Sequence, residues 1–372
     1  PYTCRRQRQM CIRDRAVHVM TGRGGWPMTV LLTPEREPLW AGTYLPKDRL
    51  AELTRRVAEL WRTSPEDLRH QAAQVTERIR DLGEGSMLPP FEGTDAELLD
   101  TVDNALLAAF DRRRGGYGHR PKFPPHAELL YLLDGLDDPE KGEDRREQIV
   151  RTLDAMADGG IHDHVGGGFH RYSTDADWLL PHFEKMLYDN ALLAQAYSGA
   201  YAVTGDERYA GIARRILGWV EREMARPGGG YASSLDADTE GEEGLTYTWT
   251  EAEIRDLLDP RDAELAAAAW GIEAQGNFHD EATGRFTGRN VIHLSRPLGE
   301  LAARLDMKPA VLGQRLDHIQ DVLLAARNQR AQPGLDDKVI TAWNGLLLSA
   351  FARAGRDLDE PAYLEKARAL AR

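Results

Sequence analysis

The sequence predicts a mainly α fold in which helical hairpins close into an α/α toroid, preceded by part of a small α/β domain. Three observations predict this. Amphipathic helix patterns alternate with glycine-rich loops from about residue 64 onward, two distant helices share one sequence pattern, and residues 28–44 have the pattern of a β-hairpin.

The composition narrows the class of protein before any motif is considered. The chain has 372 residues, of which 42% are hydrophobic, and a net charge of −13. Such an acidic chain is a poor general binder of nucleic acid or anionic membranes, so we expect neither partner. No apolar run reaches the length of a membrane span, and no signal-peptide core is present, so a cytoplasmic location is expected.

The first fifteen residues differ from the rest of the chain. They are dense in arginine and glutamine, lack an amphipathic period and contain both cysteines, Cys4 and Cys11. The cysteine spacing fits neither a Cys-x-x-Cys loop nor a zinc pattern, so we assign these thiols no function. Residues 1–15 are interpreted as a non-native segment, and the alternative is a disordered basic arm.

Residues 16–83 are predicted to form the C-terminal half of a thioredoxin-like domain with a linker helix. Strands at 28–32 and 38–44 flank a polar turn, and a helix follows from Lys47 to Trp61. Pro27 precedes the first strand, where a cis Trp26–Pro27 bond would suit the loop as a structural cis-proline. The alternative is an ordinary hairpin with a proline at its entrance.

Residues 84–372 contain most of the predicted helices and two kinds of repeat. From residue 64 onward, apolar periodicity predicts a strand at 245–249 and helices at 64–83, 95–111, 125–136, 144–158, 184–203, 206–225, 250–258, 261–270, 308–328, 338–354 and 360–371. Three loops share a Gly-Gly-aromatic core, centred on Gly116, Gly168 and Gly230. The helix pattern that begins at Asn190 recurs at Asn344, which indicates two hairpins of one plan. Stacked hairpins can form a linear solenoid or a closed toroid, and the long polar loops favour the toroid.

The densest set of chemically active residues lies between positions 161 and 190. His170, His182 and Asp189 are candidate catalytic residues, since histidine transfers protons near neutral pH. Glu184 has the alternative role of a carboxylate at a helix start. A metal at His162 and His164 is disfavoured because no standard zinc spacing appears, and we expect no metal and no cofactor.

Two further stretches carry candidate residues. The acidic stretch at 234–249 contributes Asp236 and Asp238, because paired carboxylates serve glycoside hydrolysis, although it can equally be a solvated loop. The stretch at 335–347 offers a tryptophan and polar groups that suit a sugar platform. The candidate substrate-binding residues are Arg171, Tyr172, Glu184, Asn190, Asp337, Trp343 and Asn344.

Five motifs together resemble one family. They are GGWPMTVLLTP…GTYLP, GGYGHRPKF, GGIHDHVGGGFHRYSTDADWLLPHFEKMLYDNALL, SLDADTEGEEGLTYTW and DDKVITAWNGLLLSAF. They resemble the spermatogenesis-associated protein 20 family, with its bacterial YyaL-like members, known as thioredoxin domain-containing proteins. The resemblance runs from about residue 16 to the end. It implies a thioredoxin-like domain followed by a six-hairpin α/α toroid of the glycosidase type, related in fold to N-acylglucosamine 2-epimerases.

The chain departs from that family at both ends. The family's Cys-x-x-Cys loop is missing upstream, and the chain stops at Arg372 within a helix, so we expect a fragment. The predicted function is a carbohydrate-active or sugar-binding toroid, with hydrolase or epimerase-like acid–base chemistry on a small-molecule ligand. The alternatives are a thiol-redox or redox-sensing protein in the full-length form, and a non-catalytic binding platform.

Overall fold

The computed structural model describes residues 16–22, 27–84, 93–279 and 286–372. The chain divides into two compact units, one up to residue 99 and one from residue 100. The described residues are mostly helical, so the prediction of a mainly α fold is confirmed. The predicted segment limits at residues 15 and 83 stay predictions.

The N-terminal unit contains the predicted β-hairpin and its helices. Strands β1 (Thr29–Leu32) and β2 (Pro38–Gly42) pair antiparallel, and α1 (Lys47–Thr63) and α2 (Pro65–Glu84) follow. Helix α2 packs on β2, and a small apolar core joins residues 16–17 to the hairpin and α2. The Trp26–Pro27 bond and both cysteines lie outside the described residues.

The second unit is built of helices joined by long loops. Most helices lie within three residues of their predicted ends, but α10 was not predicted. Residues 245–249, predicted as a strand, contain only an isolated bridge at Trp249. The helices are α3 (Asp95–Ala109), α4 (His126–Asp134), α5 (Gly142–Asp158), α6 (Leu187–Thr204), α7 (Glu207–Trp219), α8 (Glu251–Leu257), α9 (Pro260–Trp270), α10 (Leu298–Arg304), α11 (Pro309–Arg327), α12 (Thr341–Asp357) and α13 (Pro361–Leu370).

Helix α6 lies at the centre of this unit because it is apolar on nearly every side. It packs against α4, α7 and α12, and α13 packs on α12. Three hairpins, α4–α5, α6–α7 and α12–α13, therefore bring α4, α6 and α12 next to one another, as successive hairpins do in an α/α toroid. Helices α8 to α11 form a separate apolar core around Trp249 and Trp270, inserted between α7 and α12.

The glycine-rich loops are equivalent turns at the ends of these hairpins. In the first two, the backbone N–H of the aspartate that opens the turn, Asp111 or Asp163, donates to the second glycine's carbonyl. Gly167 has a φ of 79°, and a Cβ there would lie 2.5 Å from the carbonyl oxygen of Arg215. Only glycine fits such a close approach.

Two asparagines clamp the aromatic residues of these loops in the same way. The Asn190 side chain accepts from the Phe169 N–H at 2.7 Å and donates to the Phe169 carbonyl at 3.0 Å. Asn344 accepts from the Tyr231 N–H at 2.8 Å and donates to its carbonyl at 3.1 Å. The repeat seen in the sequence therefore reflects one structural feature: α6 and α12 each hold the Gly-Gly-aromatic loop at the end of the preceding hairpin.

We expect Asn190→Ala to lower the free energy of unfolding by about 3 kcal/mol, since it leaves the buried Phe169 N–H and carbonyl unpaired. Urea denaturation measures this loss. The matched variant Asn344→Ala should cost less, because Tyr231 is only half-buried. A loss below about 1 kcal/mol at Asn190, the net value of one ordinary hydrogen bond, would contradict the clamp.

Short strands complete the ends of the hairpins. They are β3 (Tyr172–Ser173), β4 (Pro181–His182), β5 (Lys185–Met186), β6 (Ser234–Leu235), β7 (Asp238–Thr239), β8 (Glu242–Glu243) and β9 (Leu335–Asp336). They pair antiparallel as β3–β4, β7–β8 and the three-stranded sheet β5–β6–β9. These pairings gather the segments that lead into α6 and α12 at one end of the helices.

Candidate functional site

The candidate site lies at the N-terminal ends of α4, α6 and α12. Lys122 and Lys185 are buried before α4 and α6, and each ammonium donates to the aspartate and a glycine carbonyl of its loop, at 2.7–2.9 Å. Four residues after these lysines stand His126 and Asp189, which therefore occupy equivalent places. Trp343 is the third equivalent residue, because it precedes the clamp Asn344 as Asp189 precedes Asn190.

His126 and Asp189 form a pair across two neighbouring helices. The Nε2 atom of His126 lies 3.2 Å from Oδ1 of Asp189. The Asp189 side chain is 3% exposed, and its Oδ2 atom has no hydrogen-bond partner among the described residues. Burial raises the pKa of Asp189, although His126 and Arg171 favour its charged form. The result is a buried carboxylate with one oxygen that has no hydrogen bond among the described residues.

Arg171 and Glu184 lie beside this pair. The Arg171 guanidinium donates to the Glu184 carboxylate, and the Arg171 N–H donates to the Glu184 carbonyl at 2.8 Å. Arg171 interacts with both Asp189 and Tyr188, whose ring meets the ring of Trp343 with centroids 4.9 Å apart. Arg171 therefore connects the carboxylates of Glu184 and Asp189 to the aromatic pair of Tyr188 and Trp343.

A second histidine–carboxylate pair lies on the other side of Glu184. His182 Nδ1 lies 2.6 Å from Glu243 Oε1, and His182 Nε2 lies 3.9 Å from Glu184. Burial alone would lower the pKa of His182, but the hydrogen bond and charge of Glu243, with the charge of Glu184, outweigh it and raise that pKa. The ring of Tyr172 stacks on His182 at 4.9 Å.

The cluster therefore contains two oriented imidazoles joined through an arginine and a glutamate. The Glu243 carboxylate orients the His182 imidazole and raises its pKa against the effect of burial, which suits general acid–base chemistry. Tyr172 and Trp343 add partly exposed aromatic faces. Such an arrangement can bind a small polar ligand and exchange protons with it.

Six of the predicted residues lie in this cluster, and the others lie elsewhere. The six are Arg171, Tyr172, His182, Glu184, Asp189 and Trp343. Asn190 and Asn344 are engaged in holding loops, as described above. Asp236 and Asp238 are exposed on and beside the β7–β8 hairpin, and Asp337 lies 3.4 Å from Arg226 at the surface.

His170 lies behind the cluster in the core. Its Nδ1 atom is 2.9 Å from the carbonyl of Phe183, and its ring packs on Phe183 and Tyr247. His162 and His164 are also buried, and one ring nitrogen of each contacts a backbone carbonyl. In the part of the chain that the structure describes, no group of three or more His, Cys, Asp or Glu side chains is placed to hold a metal ion.

Sequence reasoning did not select His126 or Glu243. His126 stands at the start of a helix, in KFPPHAELL, with Pro125 and Ala127 on either side. The signal that identifies it is its spacing from Lys122, which equals the spacing of Asp189 from Lys185. Glu243 was one of five carboxylates in one stretch, and only its contact with His182 distinguishes it.

We expect the free energy of unfolding to fall below pH 6.5 because His164 and His170 are buried. Burial lowers the pKa values of His164 and His170 to about 3. Between pH 6.5 and 3 the unfolded chain binds protons at these sites and the folded chain does not, so acid favours unfolding. Each histidine should reduce the free energy of unfolding by about 1.4 kcal/mol per pH unit.

Urea denaturation at pH 4.5, 5.5, 6.5 and 7.5 measures this slope. The variant His170→Asn keeps a donor near the position of Nδ1 and removes the titrating ring. Its slope below pH 6.5 should be smaller than that of the wild type by the contribution of one histidine. Equal slopes in the two proteins would show that His170 does not titrate as its burial requires.

The comparisons with known proteins agree with the sequence motifs. A family model described as Thioredox_DsbH, protein of unknown function DUF255, matches residues 11–80, which confirms the thioredoxin-like N-terminal domain. Human spermatogenesis-associated protein 20 is 35% identical over 376 residues, which cover 92% of this chain and 47% of that protein. The predicted relation to the spermatogenesis-associated protein 20 family is confirmed.

One further relative and one solved structure are also similar to this chain. Uncharacterized protein B0495.5 of Caenorhabditis elegans is 31% identical over 375 residues, covering 93% of this chain and 50% of that protein. This chain thus spans about half the length of the curated relatives it matches. Among solved structures, a sugar epimerase from a ruminal bacterium is similar with a TM-score of 0.32 and 16% identity, covering 72% of this chain and 82% of that one. No described helix is long and apolar enough to cross a membrane.

Proposed function

We propose that the cluster at the ends of α4, α6 and α12 binds a sugar and transfers protons to and from it. The observation that carries this proposal is the presence of two histidine–carboxylate pairs, His126–Asp189 and His182–Glu243, linked through Arg171 and Glu184. One histidine can remove a proton from a carbon of the ligand while the other supplies one, as in epimerisation or isomerisation.

The lining of the cluster supports a sugar as the ligand. Sugars present C–H faces that pack on aromatic rings and hydroxyl groups that need hydrogen-bond partners. Tyr172 and Trp343 offer partly exposed rings, while Arg171 and Glu184 offer a donor and an acceptor beside them.

The same contacts favour proton transfer over hydrolysis. Glycoside hydrolysis needs one carboxylate to act as base or nucleophile opposite a carboxylic acid. Each carboxylate in the cluster already contacts an imidazole or a guanidinium, an arrangement that supports the histidines. Asp236 and Asp238 are exposed and make no contact with these pairs among the described side-chain contacts.

The test is incubation of the protein with a panel of reducing mono- and disaccharides in D₂O, followed by NMR. We expect deuterium to enter the sugar at a carbon next to the carbonyl, because the proton removed there exchanges with solvent. Asp189→Asn should slow this exchange by about 10²- to 10⁴-fold. Glu240→Gln, at an exposed residue outside the cluster, is the matched control and should keep the wild-type rate.

Each other outcome has a defined meaning. New reducing ends without deuterium would show hydrolysis and overturn proton transfer at carbon. Binding without either reaction would leave the cluster as a non-catalytic binding site. Neither binding nor exchange with any sugar in the panel would overturn the proposed function.

A further inference from the structure

A separate cleft of about 580 Å³ lies next to the histidine–carboxylate cluster. Its walls come from the loop and strand before His182, from the β7–β8 hairpin and from residues near Phe278 and Arg289. This volume is within the range of small-molecule binding pockets in proteins. Nothing in the proposed proton transfer uses it.

The cleft and the cluster share the His182–Glu243 pair. Pro181 and Glu243 line the cleft, while His182 follows Pro181 in the chain and contacts Glu243 Oε1. Glu243 Oε2 has no hydrogen bond among the described residues, and the Glu243 side chain is 40% exposed. A ligand ring held against His182 therefore has the cleft as its neighbouring space.

The charges of the cleft select the kind of ligand. Among the described lining residues, Glu242 and Glu243 contribute two carboxylates, against the single guanidinium of Arg289. Two nitrogens of Arg289 are already engaged with Thr248 and the carbonyl of Leu245. A phosphorylated or acidic ligand would be repelled here, whereas neutral hydroxyl groups can donate to free carboxylate oxygens.

The apolar lining completes a platform for a ring. Phe278 is half-buried and packs on Phe183 with centroids 5.7 Å apart, so the edge of the core forms one wall of the cleft. Leu180 and Leu245 lie on the same lining. Apolar surface beside hydrogen-bonding groups suits a pyranose, which has C–H faces and equatorial hydroxyl groups.

We propose that this cleft is a second sugar subsite and that the ligand of the protein is a neutral oligosaccharide. Its reacting ring lies at the cluster and its next ring lies in the cleft, with the two rings meeting at His182 and Glu243. The inference rests on the proposed function for the first ring. It adds that Glu242, Phe278 and Arg289 select for the number of sugar rings and for a neutral ligand.

The test is binding of a length series to the whole protein by isothermal titration and saturation-transfer NMR. The probes are glucose, cellobiose and cellotriose, mannose, mannobiose and mannotriose, with glucose 6-phosphate as the anionic probe. We expect affinity to rise about tenfold or more from the monosaccharide to the disaccharide of at least one series, and no gain for the phosphate.

Substitutions in the cleft test whether the gain in affinity for the longer sugar arises there. Glu242→Trp fills the cleft from its exposed rim and should abolish the gain while leaving monosaccharide affinity unchanged. Glu240→Trp, on the same hairpin but outside the lining, is the matched control and should keep the gain. Phe278→Ala should reduce the gain by removing the platform, which gives a second test if the tryptophan is accommodated.

The failures of the two proposals are distinguishable. Monosaccharide binding with no gain for longer sugars would overturn the second subsite alone, and so would a gain that survives both Glu242→Trp and Phe278→Ala. A gain for the phosphorylated sugar would contradict the neutral ligand. Absence of binding to every saccharide of the series would overturn the proposed function as well.

Discussion

Asp163→Ala is expected to lower the free energy of unfolding by about 3 to 5 kcal/mol, a large fraction of the roughly 5 to 15 kcal/mol that stabilises an ordinary domain. The Asp163 carboxylate lies 2.8 Å from Arg327 Nη1 and 2.7 Å from Lys185 Nζ, and all three side chains are at most 5% exposed. The variant leaves two cations buried without their anion. Urea denaturation at pH 7 measures the loss.

Asp111→Ala is the matched control for this prediction. Asp111 and Lys122 form the equivalent pair in the first loop, but only one cation is buried there, and the Asp111 side chain is 18% exposed. Water can solvate that site, so we expect a loss of about 1 kcal/mol. Equal losses at the two aspartates would contradict the importance of the second cation. Asp163→Asn, which keeps the shape of the side chain, separates charge from packing if Asp163→Ala does not fold.

The contribution of Asp163 to stability depends on pH in a defined direction. Burial would raise the pKa of Asp163, but Arg327 and Lys185 hold it well below its ordinary value of 3.8. Its contribution to stability is therefore complete above that value and is lost as the pH falls below it. The loss follows the one caused by the buried histidines, which begins at higher pH.

Most of the helices could be predicted from the sequence because they carry an apolar period, and α6 because it is a long apolar run. The start of α6 shows where that reasoning ends. The pattern predicted a helix from residue 184, but the helix begins at Leu187, because Lys185 and Met186 pair as a strand with β6. That pairing is set by a segment far along the chain, and no local pattern contains it. Helix α10 was missed for a different reason, since its short length carries little periodicity.

The candidate site could be predicted only where chemistry clusters along the chain. His182, Glu184 and Asp189 lie in one stretch, so residue type alone selected them. Their partners His126 and Glu243 come from other hairpins, and a partner contributed by tertiary packing leaves no mark beside the residue it joins. His170 shows the opposite case, since its type suggested catalysis and its burial against Phe183 gives it a packing role.

His182→Gln is expected to lower sugar proton exchange by about 10²- to 10⁴-fold with little loss of stability. The His182 side chain is 29% exposed, so its replacement leaves no buried cavity. If His182 supplies the proton, the rate should fall as the pH rises through its pKa, which Glu243 and Glu184 raise above the ordinary value of 6.5 against the effect of burial. The pH profile of the exchange measures this limb.

Glu243→Gln separates this electrostatic role from a contact that only positions the ring. The amide keeps the size of the side chain and removes the charge that contacts His182 Nδ1 at 2.6 Å. The pKa of His182 should therefore fall, and the alkaline limb of the pH profile should move to lower pH. NMR titration of the His182 ring measures the pKa without any substrate, so this part of the argument holds whichever sugar the protein binds. If His182 titrates at the same pH in both proteins, Glu243 does not set its protonation, and the second histidine–carboxylate pair loses its part in the mechanism.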